Sequence, residues 1–141
     1  MQILIVDDDP LAGELVAALL EDLGHECALA GDGIEALERV VADPRIELVI
    51  SDLNMPLISG LDLFAELRDR GRMLPFILLT GDDPEPIAAG TRGLYAVLMK
   101  DAALEERLPA LIAGLAAELA AGPIPEPIAG SEVPGAARPG D

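Results

Sequence analysis

"ILIVDDDPLAGELV", residues 3–16, is the stretch on which the fold turns. An apolar run stops at three consecutive carboxylates, Asp7, Asp8 and Asp9, and apolar residues at helical spacing follow. A continuous run such as "ILIV" fits a strand buried on both faces, as in a parallel sheet. Asp9 before Pro10 reads as an N-cap followed by proline at the first helical position. Leu11, Leu15, Val16, Leu19, Leu20 and Leu23 then mark one helix face. Three acids at the tip of a buried strand repel one another, and capping one helix uses only one of them.

The alternation continues along the chain. Short β-rich runs lie at 2–6, 25–30, 47–51, 75–80 and 95–99. Helical spacing recurs at Ile34, Leu37, Val40 and Val41, at Leu61, Phe64 and Leu67, and from Leu104 to Leu119. Asp32 with Glu35 three residues later predicts a capping box. The segment after "LLTGDD" carries Pro84, Pro86, Gly90 and Gly93, which predicts a short or irregular helix. Pro109 predicts a kink in the last helix or a late start to it. Five strands alternating with helices predict an α/β fold, a doubly wound five-stranded parallel sheet with helices on both faces.

Composition narrows the function. The 141 residues fit one domain, and 51% hydrophobic residues supply a core. With a net charge of -17 and nine Lys and Arg, nucleic-acid binding by this chain is not expected. Aromatics at 2% also argue against a base-stacking platform. No apolar run approaches the roughly 20 residues needed to span a bilayer. "MQILIVDDDP" lacks the basic n-region of a signal peptide. The single cysteine, Cys27, excludes an internal disulfide, reads as a small apolar residue and fits a cytoplasmic location. Residues 122–141, "GPIPEPIAGSEVPGAARPGD", are rich in Pro and Gly without periodicity, which predicts a disordered tail after a domain spanning 1–121.

In open parallel sheets, ligands bind outside the carboxyl ends of the strands. Those ends carry Asp7, Asp8 and Asp9, then Asp52 in "SDLNMP", Thr80 in "LLTG" and Lys100 in "LMKD". A lone Asp, Thr or Lys in such a place is ordinarily a cap, a β-former or solvated surface. Together they suit one chemistry. Clustered carboxylates are unfavourable unless a cation neutralises them, and oxygen ligands suit Mg²⁺. Asp52, ionised beside a metal and Lys100, is then a candidate nucleophile towards phosphorus. The Lys100 ammonium neutralises the transferring phosphoryl oxygens, and the Thr80 hydroxyl donates to the product.

At this point the sequence resembles the receiver domain of two-component response regulators, over about residues 2–120. "ILIVDDDP" resembles that family's acidic pair and implies Asp7 and Asp8 as metal-site residues. "LVISDLNMPLISGLDL" resembles its phosphoacceptor segment. This implies Asp52 as the phosphorylated residue, the Asn54 backbone carbonyl as a metal ligand, and Gly60 as the glycine that closes the following loop. "ILLTG" and "VLMK" imply Thr80 as the switch hydroxyl and Lys100 as the phosphate-binding lysine. The resemblance implies a flavodoxin-like sheet of order 2-1-3-4-5. It also implies Mg²⁺-dependent transfer from a histidine kinase or phosphotransfer protein, and a phosphorylation-dependent surface that binds a downstream protein target. No DNA-binding, kinase or cyclase segment follows residue 121, so a single-domain regulator is expected, catalysing only its own phosphorylation and dephosphorylation.

Some positions depart from the family pattern. Asp101 follows Lys100 where proline is usual, placing another negative charge near the lysine. Val97 stands where the family often has a switch aromatic, and Tyr95, two residues earlier, reads as a strand residue at the sheet edge. Asn54 and Asp82 stand where the family tunes water access, and Asp82 is equally readable as a loop carboxylate. Two alternatives remain. One is a phosphorylation-independent receiver-like interaction module. The other is a Mg²⁺-dependent phosphatase of the haloacid dehalogenase type, for which Asp7 and Asp9 match the signature and Leu11 does not. Dimerisation through the Ala-rich last helix is left open.

Overall fold

The computed structural model describes residues 1–121; the expected disordered tail at 122–141 lies outside them. The elements alternate as β1 (Gln2–Val6), α1 (Pro10–Glu21), β2 (Glu26–Ala30), α2 (Gly33–Ala42), β3 (Leu48–Asp52), α3 (Gly60–Asp69), β4 (Phe76–Thr80), α4 (Glu85–Gly90), β5 (Ala96–Met99) and α5 (Leu104–Ala120). The five strands form one parallel sheet of order β2-β1-β3-β4-β5, as expected. Two units divide the chain, Met1–Ala110 and Leu111–Asp141. The described part of the second is the C-terminal stretch of α5 with Ala121, in which Ile112 and Leu115 are buried.

The first unit contains the whole sheet. Successive side chains of a strand point to opposite faces, so a strand buried along its length needs cover on both. Leu4 and Val6 of β1 pack with Val49, Phe76 and Leu78 against Ala36 and Val40 of α2 and Leu63, Phe64 and Leu67 of α3. Ile3 and Ile5 point the other way and are equally buried, as are Ala17 and Leu20 of α1 and Leu108 of α5. Phe64 and Phe76 meet with ring centroids 5.2 Å apart at a tilted 58°, the edge-to-face range that aromatic pairs favour.

Local signals set the helix boundaries. The Asp9 carboxylate accepts the N–H groups of Leu11 and Ala12, and Pro10 occupies the first turn of α1. Asp32 caps α2 by accepting the Glu35 N–H at 2.8 Å. The other half of the expected capping box does not form there. Asp32 is fully extended (φ −160°, ψ 172°), and Glu35 reaches past it to accept the Gly31 N–H at 3.0 Å. A complete capping box opens α3 instead, where Ser59 and Asp62 each accept the other's N–H.

Of the two expectations for Pro109, a kink or a late start, the second is not met: α5 does not start there. It begins at Leu104, whose N–H donates to the Asp101 carbonyl, and Pro109 lies inside it. β5 begins at Ala96, one residue later than expected, although the Tyr95 N–H still donates to the Phe76 carbonyl at 2.8 Å. α4 is short, as its prolines and glycines predicted, at six residues.

Candidate functional site

The parallel register brings the strand ends to one edge. Val6 pairs with Ser51, Asp52 with Leu79, and Thr80 with Met99. The residues just past these pairs therefore emerge side by side. The Asp7 N–H donates to Ala30 O, and the Lys100 N–H donates to Thr80 O at 2.7 Å, extending the ladder one step past β5.

Three of the expected acids meet there. Asp7, Asp8 and Asp52 each offer a carboxylate oxygen within 4.8 Å of the others. Lys100 Nζ lies 3.5 Å from Asp7 Oδ2 and 3.5 Å from Asp52 Oδ2. The Asp7 side chain is 5% exposed and that of Asp52 13%, while Lys100 at 31% reaches in from the rim. The Asp7 carboxylate also accepts the Asp9 N–H at 2.9 Å. The crowding has a cost. Burial pushes the Asp52 carboxyl above its ordinary value; the Lys100 charge offsets part of this, and the Asp7 charge adds to it. A bound cation would act in the same direction as Lys100, favouring the ionised carboxylate. The donor set fits a hard divalent cation: all oxygen, acidic and mutually close.

Thr80 is fully buried at the end of β4, and its Oγ1 accepts the Asp82 N–H at 3.1 Å. Asn54 stands two residues past Asp52 in the loop leaving β3, with its side chain exposed. Asp101 makes no ion pair with Lys100; its carboxylate accepts the Ala103 N–H at 3.0 Å in the turn into α5. Val97 packs against the main core cluster. Asp9 is a helix cap and lies outside the carboxylate cluster.

Two contacts around the loop leaving β3 were not readable from sequence. The buried Ser51 hydroxyl donates to Asp52 O at 2.9 Å and fixes the strand end. Gly60 is needed for closeness rather than for a turn: a Cβ there would lie 2.5 Å from Asp52 O and 2.6 Å from the Leu78 side chain. The glycine was legible in the motif, but what it touches depends on tertiary contact. Beside the cluster, a groove of about 440 Å³ runs between α1 and the start of α5. Leu15, Val16, Leu19 and Leu108 line it, Asp101 and Glu105 stand along it, and it reaches Asp7 and Lys100.

With this geometry in view, comparison with known proteins places the chain. It matches the family described as response regulator receiver domain over residues 3–112. It is 38% identical over 110 residues to the response regulator MprA of Mycobacterium avium (strain 104), covering 77% of this chain and 48% of MprA. It is 42% identical over 82 residues to the sensor histidine kinase RcsC of Escherichia coli (strain K12), covering 58% of this chain and 8% of RcsC. The chain thus spans less than half the length of either relative. Among solved structures, the response regulator TrrA of Thermotoga maritima, in complex with Mg²⁺-BeF, aligns with a TM-score of 0.67 at 32% identity. That match covers 78% of this chain and 97% of the other. A response regulator receiver protein from Pseudomonas putida aligns with a TM-score of 0.72 at 30% identity, covering 80% of this chain and 95% of the other. This chain belongs to the response regulator receiver domain family.

Proposed function

We propose that the chain accepts a phosphoryl group on Asp52 from a phosphohistidine of a sensor kinase or phosphotransfer protein, and that this changes its binding to a downstream protein. One observation carries the reading: Lys100 Nζ stands 3.5 Å from the Asp52 and Asp7 carboxylates alike, in a cluster that includes Asp8. An Asp52 carboxylate oxygen forms the new O–P bond. The P–N bond of the donor breaks, and the imidazole leaves with its electron pair. Lys100 neutralises charge on the phosphoryl oxygens, and the Thr80 hydroxyl, positioned by the Asp82 N–H, donates to the product. Asp7, Asp8, Asp52 and the Asn54 carbonyl would hold Mg²⁺, which supplies Lewis-acid neutralisation of the transferring group. The fit of the acidic donor set and the Mg²⁺-BeF complex of TrrA support this assignment.

The groove between α1 and α5 offers the donor an apolar approach with an acidic rim. Its chemistry suits a partner helix with basic flanks. In this reading the domain occupies 1–121, works in the cytoplasm, and catalyses only its own phosphorylation and dephosphorylation. Among the described residues, no helix is long and apolar enough to cross a membrane.

The short α4 and Val97 in place of an aromatic favour one second reading, an interaction module that does not use phosphate. Incubation with acetyl phosphate and Mg²⁺, followed by intact-mass measurement, separates the two. A single phosphoryl adduct, lost in Asp52→Asn and without Mg²⁺, is the expected result. No adduct while Mg²⁺ binds would favour the second reading.

A further inference from the structure

The cleft between α3 and the turn from α4 into β5 is unrelated to the carboxylate cluster. It is an open surface cleft of about 540 Å³. Leu61, Phe64 and Ala65 of α3 give it an apolar floor, and Arg68, Thr91 and Arg92 stand at its edge. Its charge runs against that of the chain, which carries 26 acidic and nine basic residues. Neither Arg68 nor Arg92 is ion-paired among the described residues, whereas Arg39, Arg45 and Arg70 each hold a carboxylate.

The Arg68 guanidinium is fixed in place. It lies over the Phe64 ring, 5.4 Å from the centroid, and donates from Nη1 to Arg92 O at 2.9 Å. Gly93 makes room for it: φ is +95° there, and a Cβ would lie 2.5 Å from Arg68 Nη1. One of the five guanidinium donors is used this way. A preorganised guanidinium, with a second arginine lining the same cleft, suits capture of a carboxylate.

We propose that this cleft docks an acidic peptide segment of a partner protein. A Glu or Asp side chain sits between Arg68 and Arg92, and an adjacent apolar side chain covers Leu61 and Ala65. Asp69 on the same rim can accept a peptide N–H, a donor that a bare inorganic anion does not supply. The site makes no use of Asp52, so it operates in the unphosphorylated chain.

The test is an NMR titration of the unphosphorylated ¹⁵N-labelled full chain with a pool of capped hexapeptides. The pool carries Glu or Asp at two positions separated by Leu or Val; a matched Gln/Asn pool is the control. Saturable shifts confined to residues 61–69 and 90–94, with a Kd of about 1 mM or tighter, are expected. Arg92→Gln, at an exposed side chain, should weaken binding about tenfold with the remaining spectrum intact. Arg68→Gln should abolish binding. The proposal is overturned by absence of saturable shifts there, by equal binding of the neutral pool, or by unchanged affinity of Arg92→Gln. Saturation of the same resonances by inorganic phosphate while the peptides stay silent would also overturn it, assigning the cleft to an anion.

Discussion

Leu57 has a left-handed backbone, φ +74°, and is the only non-glycine residue with positive φ among those described. Its side chain is 77% exposed, so packing recovers little of the strain. A left-handed L-residue costs about 1–2 kcal/mol, partly returned by the greater unfolded-state entropy of glycine. Leu57→Gly should therefore stabilise the chain by about 0.5–1 kcal/mol in urea unfolding. Asp52, five residues earlier in the chain, is unfavourable for an electrostatic reason. Burial, with Asp7 adding to it, raises its folded pKa above the ordinary carboxylate value. Between those two values the folded chain binds more protons than the unfolded one. The Asp52 contribution to stability is then complete below the ordinary value and is lost as pH rises through the raised one. Without divalent cations, Asp52→Asn should melt higher than the parent at pH 7, and the difference should vanish below the carboxylate range. Mg²⁺ should raise the parent melting temperature more than that of Asp52→Asn. Thermal melts with and without EDTA check both statements.

At the scale of elements, Pro109 sits in the sixth position of α5, past the first turn where proline is tolerated. It cannot donate to the Glu105 carbonyl. Pro109→Ala should raise stability by about 1–3 kcal/mol, read from the denaturation midpoint. The helix passes through this residue because Leu108, just before it, is fully buried in the first unit; burial outweighs local propensity. This explains why a late start, reasonable from sequence, is not found. The Glu35 contact is similar. The sequence pattern announced a cap, but which amide Glu35 reaches depends on the extended backbone of Asp32. Strands and helices were legible because continuous and 3.6-period apolar runs survive any tertiary context. Leu57, Ser51 and the Gly60 contact were not, since each depends on what folding brings near.

At the scale of the molecule, the clustering of Asp7, Asp8, Asp52 and Lys100 follows from one rule, convergence at the carboxyl edge of a parallel sheet, whereas the strand order was implied only by the family resemblance. That rule needs only strand identity, so the constellation was readable in the sequence. The clefts were not, because cavities arise from the spacing of elements that sequence does not fix. The net charge of -17 is a property of the whole chain and opposes compaction through self-repulsion. Raising NaCl from about 20 to 200 mM should raise the melting temperature by about 3–6 °C as these charges are screened.

The most direct test of the central claim is chemical mapping of the phosphorylated residue. The chain is treated with acetyl phosphate and Mg²⁺, the acyl phosphate is reduced with borohydride, and the peptides are sequenced by mass spectrometry. Homoserine at position 52, absent without Mg²⁺, is the predicted result. Homoserine at position 7 would contradict the account and assign the nucleophile of a phosphatase-like site to Asp7.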